Sequence, residues 1–194
     1  MNVKKLVNYT NRCDTLAKIN LKSFPNVSDK RITAAVALIH CRNSDSLLIL
    51  RRSEHPDDPW SGHYALPGGR CEENETLLET AIRECQEECG LTLTQKDLCA
   101  QLPVETAGRH VGIETFVQPF LFEIEQELTL TLDFDEIDQY HWLPCQELRD
   151  KSKVQHGKIS SQHPHYSFPY YQLHDRPLWG FTYKVIMDYL GTKS

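Results

Sequence analysis

The stretch LPGGRCEENETLLETAIRECQEECGL, from Leu66 to Leu91, decides how this chain folds and where its chemistry lies. It opens with a Pro-Gly-Gly turn, continues into a run typical of a helix, and stops at Gly90. The periodic apolar run begins at Leu77, so the helix is expected to start near Asn74 to Thr76, and Asn74 is the candidate N-cap because asparagine is favoured there. The stretch therefore predicts a glycine-rich turn that leads into a helix.

Three glutamates near the end of the predicted helix, Glu84, Glu87 and Glu88, lie on one side of it. Spacings of three and four residues place them within an arc of roughly 100°. Arg83 is four residues from both Glu79 and Glu87, so it can brace carboxylates from the side. Small and apolar residues occupy a different arc: Leu78, Ala81, Ile82, Cys85 and Cys89. The helix is thus expected to bury one face and to present carboxylates on another.

Clustered carboxylates repel one another, and at least one of them keeps a proton unless a cation is present. Mg²⁺ or Mn²⁺ is the natural partner for such oxygen ligands, and it suits phosphate esters and anhydrides. The turn at Gly68 and Gly69 lets the backbone approach closely, so the Gly69 carbonyl is a further candidate ligand. The alternative is that these glutamates form an ordinary solvated helix face.

The same stretch resembles the signature of the Nudix hydrolases, G-x5-E-x7-R-E-U-x-E-E-x-G-U, in which U is a bulky apolar residue. The matching positions are Gly69, Glu75, Arg83, Glu84, Cys85, Glu87, Glu88, Gly90 and Leu91. Cys85 is the one departure, because isoleucine, leucine or valine is usual there. It changes packing on the buried face and leaves the acidic positions intact.

The resemblance implies an α/β fold, a three-layer α/β/α sandwich with a mixed sheet. It also implies hydrolysis of a nucleoside diphosphate linked to another moiety, with Mg²⁺ or Mn²⁺ as cofactor and a small nucleotide as substrate. By this resemblance Glu84, Glu87 and Glu88 are metal ligands, and one of the last two is a candidate base. Arg83 and Glu75 are expected to orient the helix and its carboxylates.

The upstream sequence looks like the coenzyme A pyrophosphatase branch of this family. The matching positions are Leu47, Leu48, Arg51, Gly62, Pro67, Gly68 and Gly69, whereas Ile49, Arg52 and Leu66 depart from the branch pattern. Coenzyme A or a related conjugate is therefore the expected substrate. Three alternatives stay open: an ADP-ribose or nucleoside triphosphate pyrophosphohydrolase, a non-catalytic nucleotide-binding domain, and a zinc protein that uses Cys85 and Cys89.

Five further residues are candidates for substrate binding or catalysis. Arg51 and Arg52 follow a predicted strand and could bind phosphates bidentately, or they could be ordinary surface arginines. Trp60 and His63 could flank a base or a pantetheine arm, although aromatic residues near strand ends also belong to cores. Glu136 precedes a strand, in a connection from which related enzymes often supply an acid to the metal or to the attacking water.

The rest of the chain reads as a scaffold of strands closed by a helix. Strands are expected at residues 32–40 and 46–51, which form a hairpin, and at 64–66, 98–106, 113–125 and 139–143. Residues 151–178 read as irregular, and residues 179–190 as an amphipathic helix. We divide the chain into an N-terminal helical extension, residues 1–30, and a Nudix hydrolase domain, residues 31–194.

The composition is that of a soluble globular protein, with 40% hydrophobic and 25% charged residues among 194. A net charge of −6 argues against a nucleic-acid-binding surface. The sequence has no run of 18 consecutive apolar residues, so no membrane span is predicted. We see no signal peptide, and the seven cysteines lack paired zinc spacing, so reduced thiols and a cytoplasmic location are expected. The sequence leaves open whether the chain forms a homodimer.

Overall fold

The computed structural model describes residues 32–56, 58, 60–108, 112, 114–159 and 165–192. Within these residues the strands are β1 (Ile32–Cys41), β2 (Ser46–Arg52), β3 (Tyr64–Ala65), β4 (Gly68–Arg70), β5 (Leu98–Gln101), β6 (Glu105–Ala107), β7 (Thr115–Ile124), β8 (Ile137–Pro144), β9 (Val154–Gly157), β10 (Phe168–Leu173) and β11 (Arg176–Trp179). The helices are α1 (Leu77–Cys89), α2 (Cys145–Leu148) and α3 (Gly180–Leu190), with a 3₁₀ turn at Lys151–Lys153. The predicted extension, residues 1–30, lies outside the described residues.

The main sheet is built around a parallel pair, β1 and β7, whose register runs from Ile32 opposite Phe116 to Cys41 opposite Ile124. Its strand order is β3-β2-β1-β7-β5, with β8 beside β2, β4 beside β1 and β6 beside β7. All pairings other than β1 with β7 are antiparallel. The sheet is therefore mixed, as predicted, and the expected β1–β2 hairpin is present.

Both faces of the main sheet are covered, because successive residues of β1 enter two different cores. Val36 and Leu38 belong to the core that includes Ile186 of α3, which we call the α3-side core. Ala37 and Ile39 belong to the core that includes Cys85 of α1. This explains why β1 reads as a continuous apolar run rather than an alternating one. The predicted three-layer α/β/α sandwich is confirmed.

Helix α1 begins where the sequence predicts, at the end of the segment from Asn74 to Thr76, but with a different N-cap. Its N-cap is Thr76, whose hydroxyl accepts a hydrogen bond from the Glu79 N–H while the Glu79 side chain accepts one from the Thr76 N–H. Asn74 instead adopts a left-handed conformation with φ of 69°, so the prediction of Asn74 as N-cap is wrong. A capping box satisfies two N–H groups together, and this gives Thr76 the advantage. The helix ends at Gly90, as predicted, also in the left-handed region.

Two predictions about the remaining strands need correction. The expected strand over residues 98–106 is divided into β5 and β6, because Pro103 has no N–H to donate to a sheet ladder. Residues 151–178, expected to be irregular, include a second sheet in which β10 pairs with both β9 and β11. Tyr171 and Leu178 face each other in this sheet and are buried in the α3-side core.

The described cysteines are mostly reduced, as expected. The free thiols are Cys41, Cys71, Cys85, Cys89 and Cys145. Cys99 is disulfide-bonded, so the prediction of reduced thiols throughout is wrong at that position. Disulfide pairing depends on distance in space, which sequence spacing does not reveal. Among the described residues, no helix is both long enough and apolar enough to cross a membrane.

Replacing Thr76 with alanine should lower the free energy of unfolding by about 1 kcal/mol, because it removes the hydroxyl from the capping box. Urea denaturation measures the change. Thr129→Ala, in an exposed segment outside any helix or strand, is the matched control and should change stability little. Equal effects of the two substitutions would contradict the assignment of Thr76 as the N-cap.

Candidate active site

Arg83 joins three carboxylates at the exposed edge of α1. Its Nε and Nη2 donate to the two oxygens of Glu75 at 3.1 and 2.9 Å. Its Nη1 donates to Glu84 at 3.0 Å and to Glu87 at 2.7 Å. The expected pairing with Glu79 is replaced by Glu75, because the Glu79 carboxylate accepts hydrogen bonds from Thr76. One guanidinium thus faces three negative charges.

Glu88 is the buried member of the cluster, with 3% of its surface exposed. Burial, together with the nearby charges of Glu84 and Glu136, raises the pKa of its carboxyl to about 8. The Gly68 N–H, 3.0 Å from Glu88 Oε2, and the Arg52 charge act in the opposite direction. Glu88 is therefore a carboxyl group whose negative charge is incompletely compensated by the residues around it.

Burial also raises the pKa of Glu84, and the charges of Glu87 and Glu136 add to this effect while Arg83 opposes it. The carboxylate of Glu84 lies so close to Gly69 that a Cβ at that position would overlap it. Gly68 has a φ of 154°, and a Cβ there would lie 2.6 Å from Val36 Cα. A larger residue at position 68 would therefore clash with β1 and disturb the N–H that reaches Glu88, whereas one at position 69 would displace the Glu84 carboxylate.

The donor set matches a hard divalent cation in ligand type. Glu84, Glu87 and Glu88 carry carboxylate oxygens, which Mg²⁺ and Mn²⁺ prefer, and the Glu84 carboxylate lies against the Gly69 backbone. The ligand atoms of the three glutamates do not all lie within 4.8 Å of one another, so a bound ion would have to draw them together. Burial is the main cause of the raised pKa values of Glu84 and Glu88, and negative neighbours add to it. A bound cation would act against both causes, since it stabilises the ionised form of each carboxyl.

Glu136 lies next to this cluster, although it comes from a distant part of the sequence. It immediately precedes β8, and its charge raises the pKa of both Glu84 and Glu88. Its carbonyl accepts a hydrogen bond from the Ser53 N–H at 2.8 Å. The loop is also tied to α1, since the Asp133 N–H donates to the Glu88 carbonyl at 3.1 Å. The structure therefore places Glu136 with the carboxylates of α1.

A cleft of about 360 Å³ adjoins the glycine turn. Three of the predicted substrate-binding residues, Arg52, Trp60 and His63, line it together with Gly68 and Gly69. The sequence reasoning missed several other lining residues: Tyr64, Arg70, Trp179, Phe181 and Thr182. Three of these residues belong to the run WGFTYKVI, residues 179–186, which the sequence predicts only as part of the closing helix.

The aromatic residues at one side of the cleft are in mutual contact. The His63 and Trp179 rings meet edge to face with centroids 5.5 Å apart. Phe168 lies behind Trp179, with centroids 5.6 Å apart. Because β11 ends at Trp179, the second sheet holds this side chain in place. The cleft thus has an aromatic wall that combines the loop before β3 with the second sheet.

The two adjacent arginines are used differently, because successive strand residues point to opposite faces. Arg52 lines the cleft, and its guanidinium donates to Asp58 at 2.9 Å. Arg51 is not among the described residues that line the cleft. Its Nε and Nη2 donate to Asp138 at 2.8 and 2.5 Å, and its Nη1 lies 3.2 Å from Asp175. The structure therefore separates Arg51 from the other candidate substrate-binding residues.

The cysteines of α1 do not form a metal site with histidines in the described part of the chain. Their sulfur atoms lie 3.8 Å apart, and Cys89 Sγ donates to the Cys85 carbonyl at 3.0 Å. A different group brings three ligand types within 4.8 Å of one another: His40, Asp45 and Cys145. Its carboxylate is already ion-paired with the Arg149 guanidinium at 2.8 Å, which satisfies the aspartate without a metal.

Replacing Glu75 with glutamine should destabilise the protein by about 2 kcal/mol at pH 7. The Arg83 hydrogen bonds lower the Glu75 pKa from 4.5 to about 2, and the side chain is 14% exposed. Since the folded-state pKa is depressed, this stabilisation is present above pH 4.5 and is lost as the pH falls towards 2. Denaturant unfolding from pH 7 to pH 2 measures the difference between wild type and variant.

Glu73→Gln is the matched control, because Glu73 is an exposed carboxylate in the turn before α1. It should leave the free energy of unfolding nearly unchanged across the same pH range. A Glu75→Gln effect that is the same at pH 7 and pH 2 would show that the Glu75 charge does not contribute to stability.

Comparisons with known proteins place this fold and site in a family. A sequence profile of the NUDIX domain matches residues 31–163. The uncharacterized Nudix hydrolase NudL of Photorhabdus laumondii is 26% identical over 163 residues, covering 82% of this chain and 84% of that protein. An 8-oxo-dGTP diphosphatase of Proteus vulgaris is 30% identical over 101 residues, covering 52% of this chain and 86% of that protein.

A solved structure supports the same assignment at the level of the fold. The NUDIX domain of Shewanella oneidensis NrtR, complexed with ADP ribose, superimposes with a TM-score of 0.50 at 17% identity. The match covers 71% of this chain and 85% of that chain. Together, the profile match over residues 31–163, the mixed sheet between helices, and the relatives named Nudix hydrolases show that this chain belongs to the Nudix hydrolase family.

Proposed function

We propose that this protein is a metal-dependent hydrolase that cleaves the pyrophosphate bond of a nucleoside diphosphate linked to another moiety. The observation that carries the proposal is the placement of the Glu84 and Glu88 carboxylates against the Gly68–Gly69 turn, which lines a cleft of about 360 Å³. A cation that binds there would lie next to a pocket large enough for part of a nucleotide.

We assign the cation, Mg²⁺ or Mn²⁺, to the Glu84, Glu87 and Glu88 carboxylates and the Gly69 carbonyl. When bound, such an ion neutralises charge on the diphosphate and lowers the pKa of a coordinated water. Glu87 is the most accessible of the three acids, with 58% of its side chain exposed, whereas Glu88 is buried. The site thus combines one ligand that faces solvent with one that the fold holds in position.

The other site residues have supporting roles in this proposal. Arg83 and Glu75 position the carboxylates, since the Arg83 guanidinium connects Glu75 with Glu84 and Glu87. Glu136 is exposed beside the ligands, so we assign it, with Glu87 or Glu88, to accepting the proton of the attacking water. Transfer of that proton allows the water oxygen to bond to phosphorus as the bridging oxygen leaves.

The cleft binds the nucleotide in this proposal. Arg52 supplies positive charge close to Glu88, where its charge lowers the pKa of that carboxyl, so it is placed to meet a phosphate. The rings of Trp60, His63 and Trp179 offer faces and edges for a base or for an apolar arm. Arg51 contributes through Asp138, by holding β2 to β8, rather than through the substrate.

For the substrate we favour coenzyme A or a related conjugate, because the residues from Leu47 to Gly69 resemble the coenzyme A pyrophosphatase branch. A nucleoside triphosphate is the second candidate. The Proteus vulgaris relative, 30% identical over 101 residues, is an 8-oxo-dGTP diphosphatase. A substrate panel therefore needs coenzyme A, ADP-ribose, dinucleotides and nucleoside triphosphates, each with the products identified.

Glu88→Gln should lower kcat by roughly 100-fold or more on whichever substrate the wild type cleaves, because it removes a metal ligand and one negative charge. The measurement is product release from the panel with Mg²⁺ and with Mn²⁺. Glu73→Gln, an exposed carboxylate outside α1, should retain wild-type activity. Absence of turnover on every substrate, or full activity in Glu88→Gln, would refute the proposed hydrolase.

His63→Ala should raise KM about fivefold and leave kcat nearly unchanged, because it removes one ring of the aromatic wall. Steady-state kinetics on the best substrate of the panel measures both constants. His156→Ala changes an exposed histidine of β9 and serves as the control. An unchanged KM in His63→Ala would remove the cleft wall from the proposed nucleotide site.

A further inference from the structure

A cluster outside the candidate active site brings three kinds of metal ligand together in the described part of the chain. A ring nitrogen of His40, a carboxylate oxygen of Asp45 and the sulfur of Cys145 all lie within 4.8 Å of one another. His40 and Cys145 are buried, whereas the Asp45 side chain is 23% exposed. The cluster therefore has two ligands inside the fold and one at the surface, where an ion has access.

The carboxylate of this cluster is held in position by the residues around it. Asp45 has a φ of 48°, in the left-handed region, within the turn between β1 and β2. Its carbonyl accepts a hydrogen bond from the Cys145 N–H at 2.7 Å, and its Oδ2 accepts one from Arg149 Nη1 at 2.8 Å. Arg149 engages Oδ2, whereas Oδ1 lies 3.0 Å from His40 Nε2. A ligand fixed in this way loses little conformational entropy when it binds an ion.

The second nitrogen of the His40 ring has the surroundings that a metal-bound imidazole needs. Nδ1 lies 3.2 Å from the Tyr189 hydroxyl and 3.5 Å from Glu123 Oε1. A histidine that binds a metal through one nitrogen usually donates the N–H of the other to a carboxylate. Glu123, on β7 and with only 9% of its side chain exposed, provides that carboxylate. A proton on Nδ1 leaves the Nε2 lone pair directed at Asp45.

The charges in the cluster also suit a divalent ion. Burial raises the pKa of Asp45, but hydrogen bonds from Arg149, His40 and the Cys145 thiol lower it overall, so this carboxyl is ionised at neutral pH. A bound metal ion deprotonates a thiol that coordinates it. One carboxylate and one thiolate together balance the two positive charges of the ion, so the loaded cluster carries no net charge.

The ligand types select a different ion from the one assigned to the candidate active site. Carboxylate oxygens alone suit Mg²⁺, whereas a sulfur, an imidazole nitrogen and a carboxylate together suit Zn²⁺. Bonds of about 2.0–2.3 Å to Zn²⁺ place tetrahedral ligands about 3.5 Å apart. Since the three ligand atoms already lie within 4.8 Å of one another, only small side-chain movements are needed.

We propose that His40, Asp45 and Cys145 form a zinc site, with a water molecule as the fourth ligand. On binding, the Cys145 thiol releases its proton to solvent and the neutral His40 ring coordinates through Nε2. Glu123 orients that ring through Nδ1. Arg149 stays paired with Asp45 Oδ2, so the ion replaces only the hydrogen bonds that the ligands make with one another.

The zinc site joins distant parts of the chain and lies away from the candidate active site. It links the end of β1, the turn that follows, and α2, whose first residue is Cys145. The Gly68–Gly69 turn pairs with β1 at Val36 and Ala35. His40 lies further along the same strand, roughly 13 Å from Val36. Bound Zn²⁺ therefore acts as a cross-link that stabilises the fold, and it takes no part in the proposed hydrolysis.

Cobalt(II) tests this site, because a bond between Co²⁺ and a thiolate gives an intense charge-transfer band in the near ultraviolet. Chelator-treated protein is titrated with Co²⁺ in the presence of excess Mg²⁺, which competes for the carboxylates of α1. We expect the band to saturate at one Co²⁺ per chain and to disappear when Zn²⁺ is added. Zn²⁺ should also raise the Tm of the chelator-treated protein by several degrees.

Four variants assign the ligands. Cys145→Ser should abolish both the band and the rise in Tm, because it replaces the sulfur with little change in volume. Asp45→Asn keeps a residue that tolerates the left-handed conformation and should weaken Zn²⁺ binding at least about tenfold, measured by competition with a chelating dye. Glu123→Gln, which acts through His40, should weaken it about tenfold. Cys71→Ser, the control outside the cluster, should retain the band.

Absence of the band in the wild-type protein would overturn the zinc site and leave the cluster as a hydrogen-bonded network. A band that persists in Cys145→Ser would overturn it as well, since the thiolate would then belong to another cysteine. If Cys145→Ser does not fold, Asp45→Asn decides: weaker Zn²⁺ binding supports the site, and unchanged binding overturns it.

Discussion

The contact of the Arg83 guanidinium with Glu75, Glu84 and Glu87 is the constraint on which the site depends. It concentrates negative charge at one edge of α1 and leaves that charge only partly compensated. The tight Gly68–Gly69 turn brings the backbone to the same place, where it donates an N–H to buried Glu88. The site is therefore organised by the protein itself, and the divalent cation proposed above would supply the positive charge that it lacks.

The scaffold makes this arrangement stable by fixing α1 from several directions. Its apolar side packs on the β1 face that carries Ala37 and Ile39. A capping box at Thr76 and a left-handed Gly90 define its two ends. The α3-side core covers the opposite face of the same strand. Consequently the carboxylates project from a helix whose position is determined by the whole three-layer sandwich.

Local spacing along one helix predicted the carboxylate cluster, and the apolar runs predicted a mixed α/β domain. The three-layer sandwich followed from the resemblance to the Nudix hydrolases. The sequence did not allow prediction of contacts made at a distance. The ion pair between Arg51 and Asp138 depends on how β2 pairs with β8. The position of Trp179 beside the cleft depends on the second sheet, whose last strand ends at that residue. Asn74 was mistaken for the N-cap because reciprocal bonding between Thr76 and Glu79 outweighs single-residue preference.

The second sheet has an evolutionary consequence. The carboxylates of α1 and their glycine turn come from one contiguous stretch, whereas Trp179 reaches the cleft at the end of a separate three-stranded unit. Substitutions and length changes in the exposed connections of that unit can reshape the cleft wall while the stretch from Gly68 to Glu88 keeps its sequence. In the proposed enzyme, substrate selection and reaction chemistry would thus reside on separate parts of the chain, so either part could change while the other keeps its sequence.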